Sequence, residues 1–207
     1  MPEEKKEESF FKETLRFAII TLAIVLPIRF FVAEPFIVSG ASMEPTFEDA
    51  DYLIVDRLSY HFEKPQRNDI VIFRYPKDPS KYFIKRIIGL PEESIFISGE
   101  TITIKNKEHP SCITLDQSYL AIPKQNNFET TLNTNEYFVM GDNRAHSSDS
   151  RIWGPLPEKN IIGRALLRLF PFHRINVLPG KVNYENNWQL TNDIWLETIK
   201  NKSTNGH

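Results

Sequence analysis

The sequence is short of cysteine, of clustered histidine and of net charge. A single cysteine, Cys112, among 207 residues excludes an internal disulfide framework and any multi-cysteine zinc or iron–sulfur site. The five histidines (His61, His109, His146, His173 and His207) are scattered, with no HExxH and no close ligand pair, so no metal is expected. The eight glycines build no phosphate-cradling loop, and no cofactor is expected. A net charge of −2, from 25 basic and 27 acidic residues, gives no electrostatic reason to expect a nucleic-acid partner.

What remains is a chain that is 41% apolar and long enough for one compact domain with attachments. Phe17 to Ile28 carries no charge and is bounded by Arg16 and Arg29. As helix this stretch rises about 18 Å, short of the roughly 30 Å hydrocarbon layer. With Phe10, Phe11, Leu15 and Phe30 to Ala33 added it reaches across, provided Arg16 and Arg29 snorkel to opposite interfaces. A buried core helix and a cleaved signal segment are the alternatives. Lys5, Lys6, Lys12 and Arg16 precede the segment, whereas no Lys or Arg stands between Arg29 and Arg57. That asymmetry expects the N-terminus in the cytoplasm and the rest outside. Cleavage after Ala33 would leave bulky Phe31 at −3, so a retained anchor is the expectation.

Beyond Pro35 short apolar runs alternate with turn residues. Strands are expected at Tyr52–Val55, Ile70–Tyr75, Tyr82–Ile88, Ser94–Ile97, Thr101–Ile104, Tyr137–Met140 and Ile161–Phe170. Residues 94–105 read as a hairpin turning at Ser98-Gly99-Glu100. The fold class is therefore a mainly β ectodomain with a single N-terminal transmembrane helix. Its expected divisions are a cytoplasmic segment at 1–14, an anchor at 15–33, a β-rich catalytic domain at 34–189 and a polar tail at 190–207. Within the domain, a loop-rich excursion is expected near 105–135.

Three segments hold side chains fit for chemistry. Ser42 lies in VSGASMEPTF, where Gly40 and Ala41 leave room for a second backbone and Pro45 stops a helix. Taken alone, a serine in such a loop is a turn residue. Lys85 sits in YFIKRIIGLP, where strand alternation sets it beside Phe83 and Ile87 while Arg86 points the other way. An amine on an apolar face loses hydration, which lowers its pKa; an edge-strand lysine that blocks aggregation is the plainer reading. The third segment, MGDNRAHSSDSRIWG, pairs Asp142 with Arg144 and Asp149 with Arg151, spacings that suit a self-braced loop.

SGASMEPT, RNDIVIFRYP, FIKRIIGLP and GDNRAHSSDSRIWG, in that order behind an apolar N-terminal segment, resemble the sequence boxes of bacterial type I signal peptidases. The likeness runs from about residue 15 to residue 170. It implies a signal-peptidase-like β fold and a membrane-bound serine endopeptidase that cuts signal peptides from exported preproteins after a small-x-small motif. It makes Ser42 the nucleophile and Lys85 the general base of a Ser/Lys dyad, working through an acyl-enzyme. Ser147 matches the serine that bonds the family's lysine, Asp149 and Arg151 match its bracing pair, and Asp142, Arg144 and Arg86 fall among the supporting positions.

The resemblance also implies preproteins and membrane lipid as partners and a site close to the secretion translocon. The location it implies is the bacterial inner membrane, with the catalytic domain on the outer side. For substrate contacts Met43, Ser39, Phe83 and the strand at 137–140 are the candidates, and Trp153 is a candidate for contact with lipid. The sequence departs from the family at Ala145-His146, where Asp-Asn is usual. It has Gly40 where some members donate a serine to the oxyanion hole, and Phe83 where many carry tyrosine. Two other readings remain: a self-cleaving repressor-type Ser/Lys protease, and a catalytically silent membrane-tethered binding module. A Ser-His-Asp triad would have to recruit His146.

Overall fold

The computed structural model of the chain describes residues 4–27, 33–107, 112–115, 117, 120 and 126–181. A 24-residue helix, α1 (Glu4–Pro27), comes first. Its first half is charged at Glu4, Lys5, Lys6, Glu7, Glu8, Lys12, Glu13 and Arg16, which leaves a short uncharged end. Among the described residues no helix is long and apolar enough to cross a membrane. The spanning helix expected over 15–33 is thus not found there; residues 28–32, which its length requires, lie outside the described residues, as does the polar tail at 190–207. Phe10, Phe11, Leu15, Phe17, Ile19, Ile20, Leu22 and Val25 are all exposed, so among its described side chains no face of α1 is covered by protein.

Twelve strands follow, in two sheets. They are β1 (Ala33–Ile37), β2 (Tyr52–Asp56), β3 (Ile70–Tyr75), β4 (Asp78–Gly89), β5 (Ser94–Gly99), β6 (Thr101–Lys105), β7 (Ile113–Thr114), β8 (Asn126–Thr131), β9 (Glu136–Met140), β10 (Leu156–Pro157), β11 (Ile161–Phe170) and β12 (Asn176–Val177). The larger sheet runs β1-β2-β11-β3-β4-β9-β10, with β12 also on β11, and the smaller runs β7-β6-β5-β8. After α1 the described residues form one further α-helix, α2 (Ser150–Trp153), and three short 3-10 turns at Ser59–His61, Glu158–Asn160 and Phe172–Arg174.

β3 is apolar at successive residues because both its faces are covered. Ile70 and Ile72 join Val38, Met43, Phe47, Leu53, Val55 and Ala165 on one side. Val71 and Phe73 join Ile87, Tyr137, Val139, Trp153 and Leu156 on the other. The small sheet closes its own core with Ile95, Ile97, Ile102 and Ile104 against Ile88, Phe138 and Met140.

All seven expected strands are present, with ends differing by up to four residues. The hairpin turns on two residues rather than three, since Ser98 pairs directly with Thr101 and Gly99 supplies the positive φ of 61°. The excursion near 105–135 is more regular than expected. β8 pairs with β5 from Asn126↔Gly99 to Thr131↔Ser94. From Asn127 to Thr131 burial alternates, yet only Phe128 on the covered side is strongly apolar, which hides the period. β1 contains Pro35, tolerated because β1 is an edge strand.

Gly163 lies at a bulge of β11, where a Cβ would stand 2.2 Å from the Asp56 carbonyl oxygen of β2. Backbone cannot give way as a flexible side chain does, so Gly163→Ala is expected to cost about 1–3 kcal/mol. A lowered denaturant midpoint with an unchanged slope checks this; an unchanged midpoint contradicts it.

Candidate active site

Ser42 occupies the loop between β1 and β2, and that loop is fixed at several points. At its base Val38 N–H donates to Asp51 O (2.9 Å) and Ala50 N–H to Val38 O (3.0 Å). Gly40, at φ +86°, donates to Asp49 Oδ1 at 2.7 Å, a conformation that other residues rarely adopt. Met43 and Phe47, both fully buried, plug the core on the far side of Ser42. Arg168 of β11 holds the same loop: Nη1 donates to Thr46 O (2.8 Å) and Asp51 Oδ2 (3.1 Å), and its guanidinium lies over Phe47. The Ser42 carbonyl accepts from Asn143 N–H at 3.1 Å, which joins the loop to the polar segment after β9.

Lys85 of β4 is 4% exposed, and its Nζ donates to Ser42 Oγ at 2.7 Å and to Ile84 O at 2.8 Å. The Phe83 ring lies 5.5 Å away. Burial brings the lysine pKa down to about 8, because the ammonium form loses its hydration. Asp149 and Asp142 pull the other way without winning. Both carboxylates are occupied by arginines. Asp142 accepts from Arg86 Nε (2.8 Å) and Nη2 (2.6 Å) and from Thr46 Oγ1 (2.5 Å). Asp149 accepts from Arg151 Nε (2.8 Å) and Nη2 (2.7 Å) and from Gly141 N–H (3.1 Å), and it also caps α2.

Arg86 is fully buried, and its Nη1 donates to Gly180 O (2.6 Å) and Asn68 O (3.2 Å). Arg144 does not pair with Asp142 as its spacing suggested. Its Nε donates to Gly141 O at 3.1 Å, and its Nη1 bonds Gln117 Oε1. The nearer guanidinium for Asp142 comes from the next strand, through Arg86. Ser147 is brought to the site but not into a bond with Lys85: its buried Oγ has no hydrogen-bond partner among the described residues. The Lys85 amine bonds Ile84 O, the carbonyl of the preceding residue, in addition to Ser42.

A groove of about 550 Å³ opens over the pair. One arm is apolar, formed by Phe36, Ile37 and Val38 on one wall and Tyr82, Phe83 and Ile84 on the other. Ser39 and Phe83 line the groove; Met43 does not, because it is fully buried in the core beneath the loop. The strand at 137–140 is likewise buried, and Trp153 packs on Phe73 and Tyr75 rather than facing outward. Among the described residues no group of His, Cys, Asp and Glu side chains is placed to hold a metal.

Sequence reasoning passed over Gly141, where a Cβ would meet Ser147 Oγ at 2.3 Å and Ser42 O at 2.4 Å. The Met-Gly-Asp step from a buried strand into a polar loop was the available signal. Arg168 and Thr46 carried none, since their partners are more than 90 residues away in the chain.

The lysine's lowered pKa makes a prediction about stability. Between about 8 and the ordinary 10.5 the unfolded chain binds the extra proton, so this group's contribution to stability rises with pH across that window. Below pH 8 the penalty is complete, about 3 kcal/mol. Lys85→Met is therefore expected to be more stable than the parent at pH 7, by roughly 1–3 kcal/mol, with the advantage fading toward pH 10. Denaturant titrations at pH 7 and pH 10 measure this, and a less stable variant with no pH dependence contradicts it.

Residues 11–170 match the sequence model of the family described as signal peptidase, peptidase S26. The chain is 40% identical over 173 residues to the probable signal peptidase I-1 of Synechocystis sp., covering 80% of this chain and 85% of that protein. It is 35% identical over 190 residues to the signal peptidase I of Leptolyngbya laminosa, covering 87% and 90%. With the signal peptidase I of Bacillus amyloliquefaciens it shares 34% over 182 residues, covering 82% and 90%. A crystal structure of a signal peptidase I from Enterococcus faecalis V583 is 30% identical, covering 49% of this chain and 97% of that one at a TM-score of 0.43. With the family match spanning most of its length, the chain belongs to the signal peptidase family of serine peptidases, peptidase S26.

Proposed function

We propose that this signal peptidase cuts preproteins with a Ser/Lys dyad in which Ser42 is the nucleophile and Lys85 the general base. The observation that carries the reading is the 2.7 Å contact between Ser42 Oγ and an amine whose pKa has fallen to about 8. A neutral amine at that distance takes the hydroxyl proton as Oγ attacks the scissile carbonyl carbon. The tetrahedral oxyanion receives the Ser42 N–H, a donor worth roughly 3 kcal/mol. The Lys85 ammonium then passes its proton to the leaving amine, and an acyl ester remains on Ser42. Lys85 next takes a proton from water, which attacks the ester and regenerates the hydroxyl. His146 makes no bond to Ser42 among the described residues, which favours the lysine over a histidine triad.

The substrate lies extended in the groove. β4 pairs with β3 from Asp78 onward but with β9 only from Arg86, so Asp78–Ile84 offers one free backbone edge. Added as a strand there, a peptide is held by main-chain hydrogen bonds while alternate side chains enter the wall. Near Ser42 that wall is Val38, Leu53, Ile72 and Ile84, and its β-branched and leucine side chains leave room for small residues. This fits cleavage after a small-x-small motif.

Residues 15–33 anchor the enzyme in the bacterial inner membrane, with 1–14 in the cytoplasm and the catalytic domain of 34–189 on the outer side. Apolar side chains exposed all round α1 and the basic residues before them support this. Anchoring places the enzyme in the same plane as preproteins leaving the translocon, which raises their effective concentration.

The test is cleavage of a preprotein by the detergent-solubilised chain. Ser42→Ala and Lys85→Ala are each expected to lose at least about a thousandfold in kcat/KM. His146→Ala is expected to lose less than about tenfold. For the parent, kcat/KM rises with pH through about 8 and then levels, since only the neutral amine acts as base. Activity that survives Lys85→Ala but not His146→Ala overturns the dyad. No cleavage by a folded parent chain favours the silent binding module.

A further inference from the structure

We infer that His146, with Ser148 beside it, forms a subsite for the residues that follow the scissile bond, and that it favours acidic side chains there. The inference rests on the Ser42/Lys85 reading and extends it to the mature end of the substrate.

His146 and Ser148 are the exposed residues of a loop whose other polar members, Asp142, Asn143, Arg144, Ser147 and Asp149, are buried. Both line the groove. The backbone of His146 is held in place: its N–H donates to Asn143 O and Oδ1, each at 3.2 Å, and Asn143 N–H donates to Ser42 O. One residue thus separates His146 from the nucleophile's own carbonyl, while its ring makes no hydrogen bond among the described residues. A ring fixed at its root and free at its tip is available to a substrate.

The direction of the substrate follows from the two ends of the groove. The arm along β1 and β4 is apolar and suits the end of a signal peptide. The carbonyl under attack must lie at Ser42, so the chain that continues past it meets the loop carrying His146 and Ser148. Charge then decides what is welcome. The ionisable lining side chains besides the tyrosine are Lys81, Lys85 and His146, with no carboxylate. Lys81 is paired with Asp78 and stands four residues up the strand from Lys85, about 13 Å away. Of the nearby acids, Asp142 and Asp149 lie buried under Arg86 and Arg151, and exposed Asp49 accepts from Gly40 N–H on the Ser42 loop without lining the groove. A substrate carboxylate next to His146 therefore finds an imidazole N–H donor and no lining carboxylate to oppose it, whereas a substrate ammonium finds no lining carboxylate to pair with.

The experiment uses the full chain in detergent and three peptides that differ only in carrying Asp, Asn or Lys at the two positions after the bond. The parent is expected to prefer the Asp peptide over the Lys peptide by about three- to tenfold in kcat/KM. His146→Lys keeps the preference, His146→Ala brings the ratio close to one, and His146→Asp inverts it. Equal ratios in all four proteins, with cleavage abolished by Ser42→Ala, overturn the subsite and leave the dyad standing. Cleavage that survives Ser42→Ala overturns both.

Discussion

A single amine kept in a dry place without a carboxylate of its own is the constraint from which the site follows. Lys85 has two hydrogen-bond acceptors, a hydroxyl and a carbonyl, and neither carries a charge. Its ammonium form is therefore poorly compensated, and burial prevails over the two aspartates nearby. Had either aspartate turned its oxygens toward Nζ, the proton would be held too firmly for a base.

The two arginine forks serve that end. Replacing a buried ion pair with apolar residues often leaves stability unchanged, so Arg86–Asp142 and Arg151–Asp149 are better understood by what they do to charge. Each neutralises an aspartate; Arg86–Asp142 also ties distant segments together, while Arg151–Asp149 braces its own loop. Through Thr46, Asp142 reaches the Ser42 loop, and through Gly180, Arg86 reaches the chain beyond β12. Asp149 orders α2 and the start of the polar loop. Arg168 completes the brace from the opposite side of the Ser42 loop.

The segments that carry Ser42 and Lys85 stood out because their signals are local. Strand alternation alone set Lys85 among apolar neighbours, and apolar runs marked β3 and, though interrupted by Arg164 and Arg168, β11. Where tertiary context decides, sequence was silent or misleading. Met43, next to Ser42, points into the core because the loop needs a plug beneath it. Arg144 stands two residues from Asp142, yet Arg86 from the neighbouring strand takes that carboxylate. Ser147 was matched to the lysine by position, and its hydroxyl instead lies buried without a partner among the described residues. β8 escaped notice since an edge strand in a small sheet needs only one large apolar side chain.

The amine's own titration tests the central claim most directly. With lysine labelled at Cε and the Lys85 signal assigned by its loss in Lys85→Met, nuclear magnetic resonance across pH 6 to 11 reads the proton on Nζ. The account predicts a midpoint near 8. A midpoint at the ordinary 10.5 or above would contradict it.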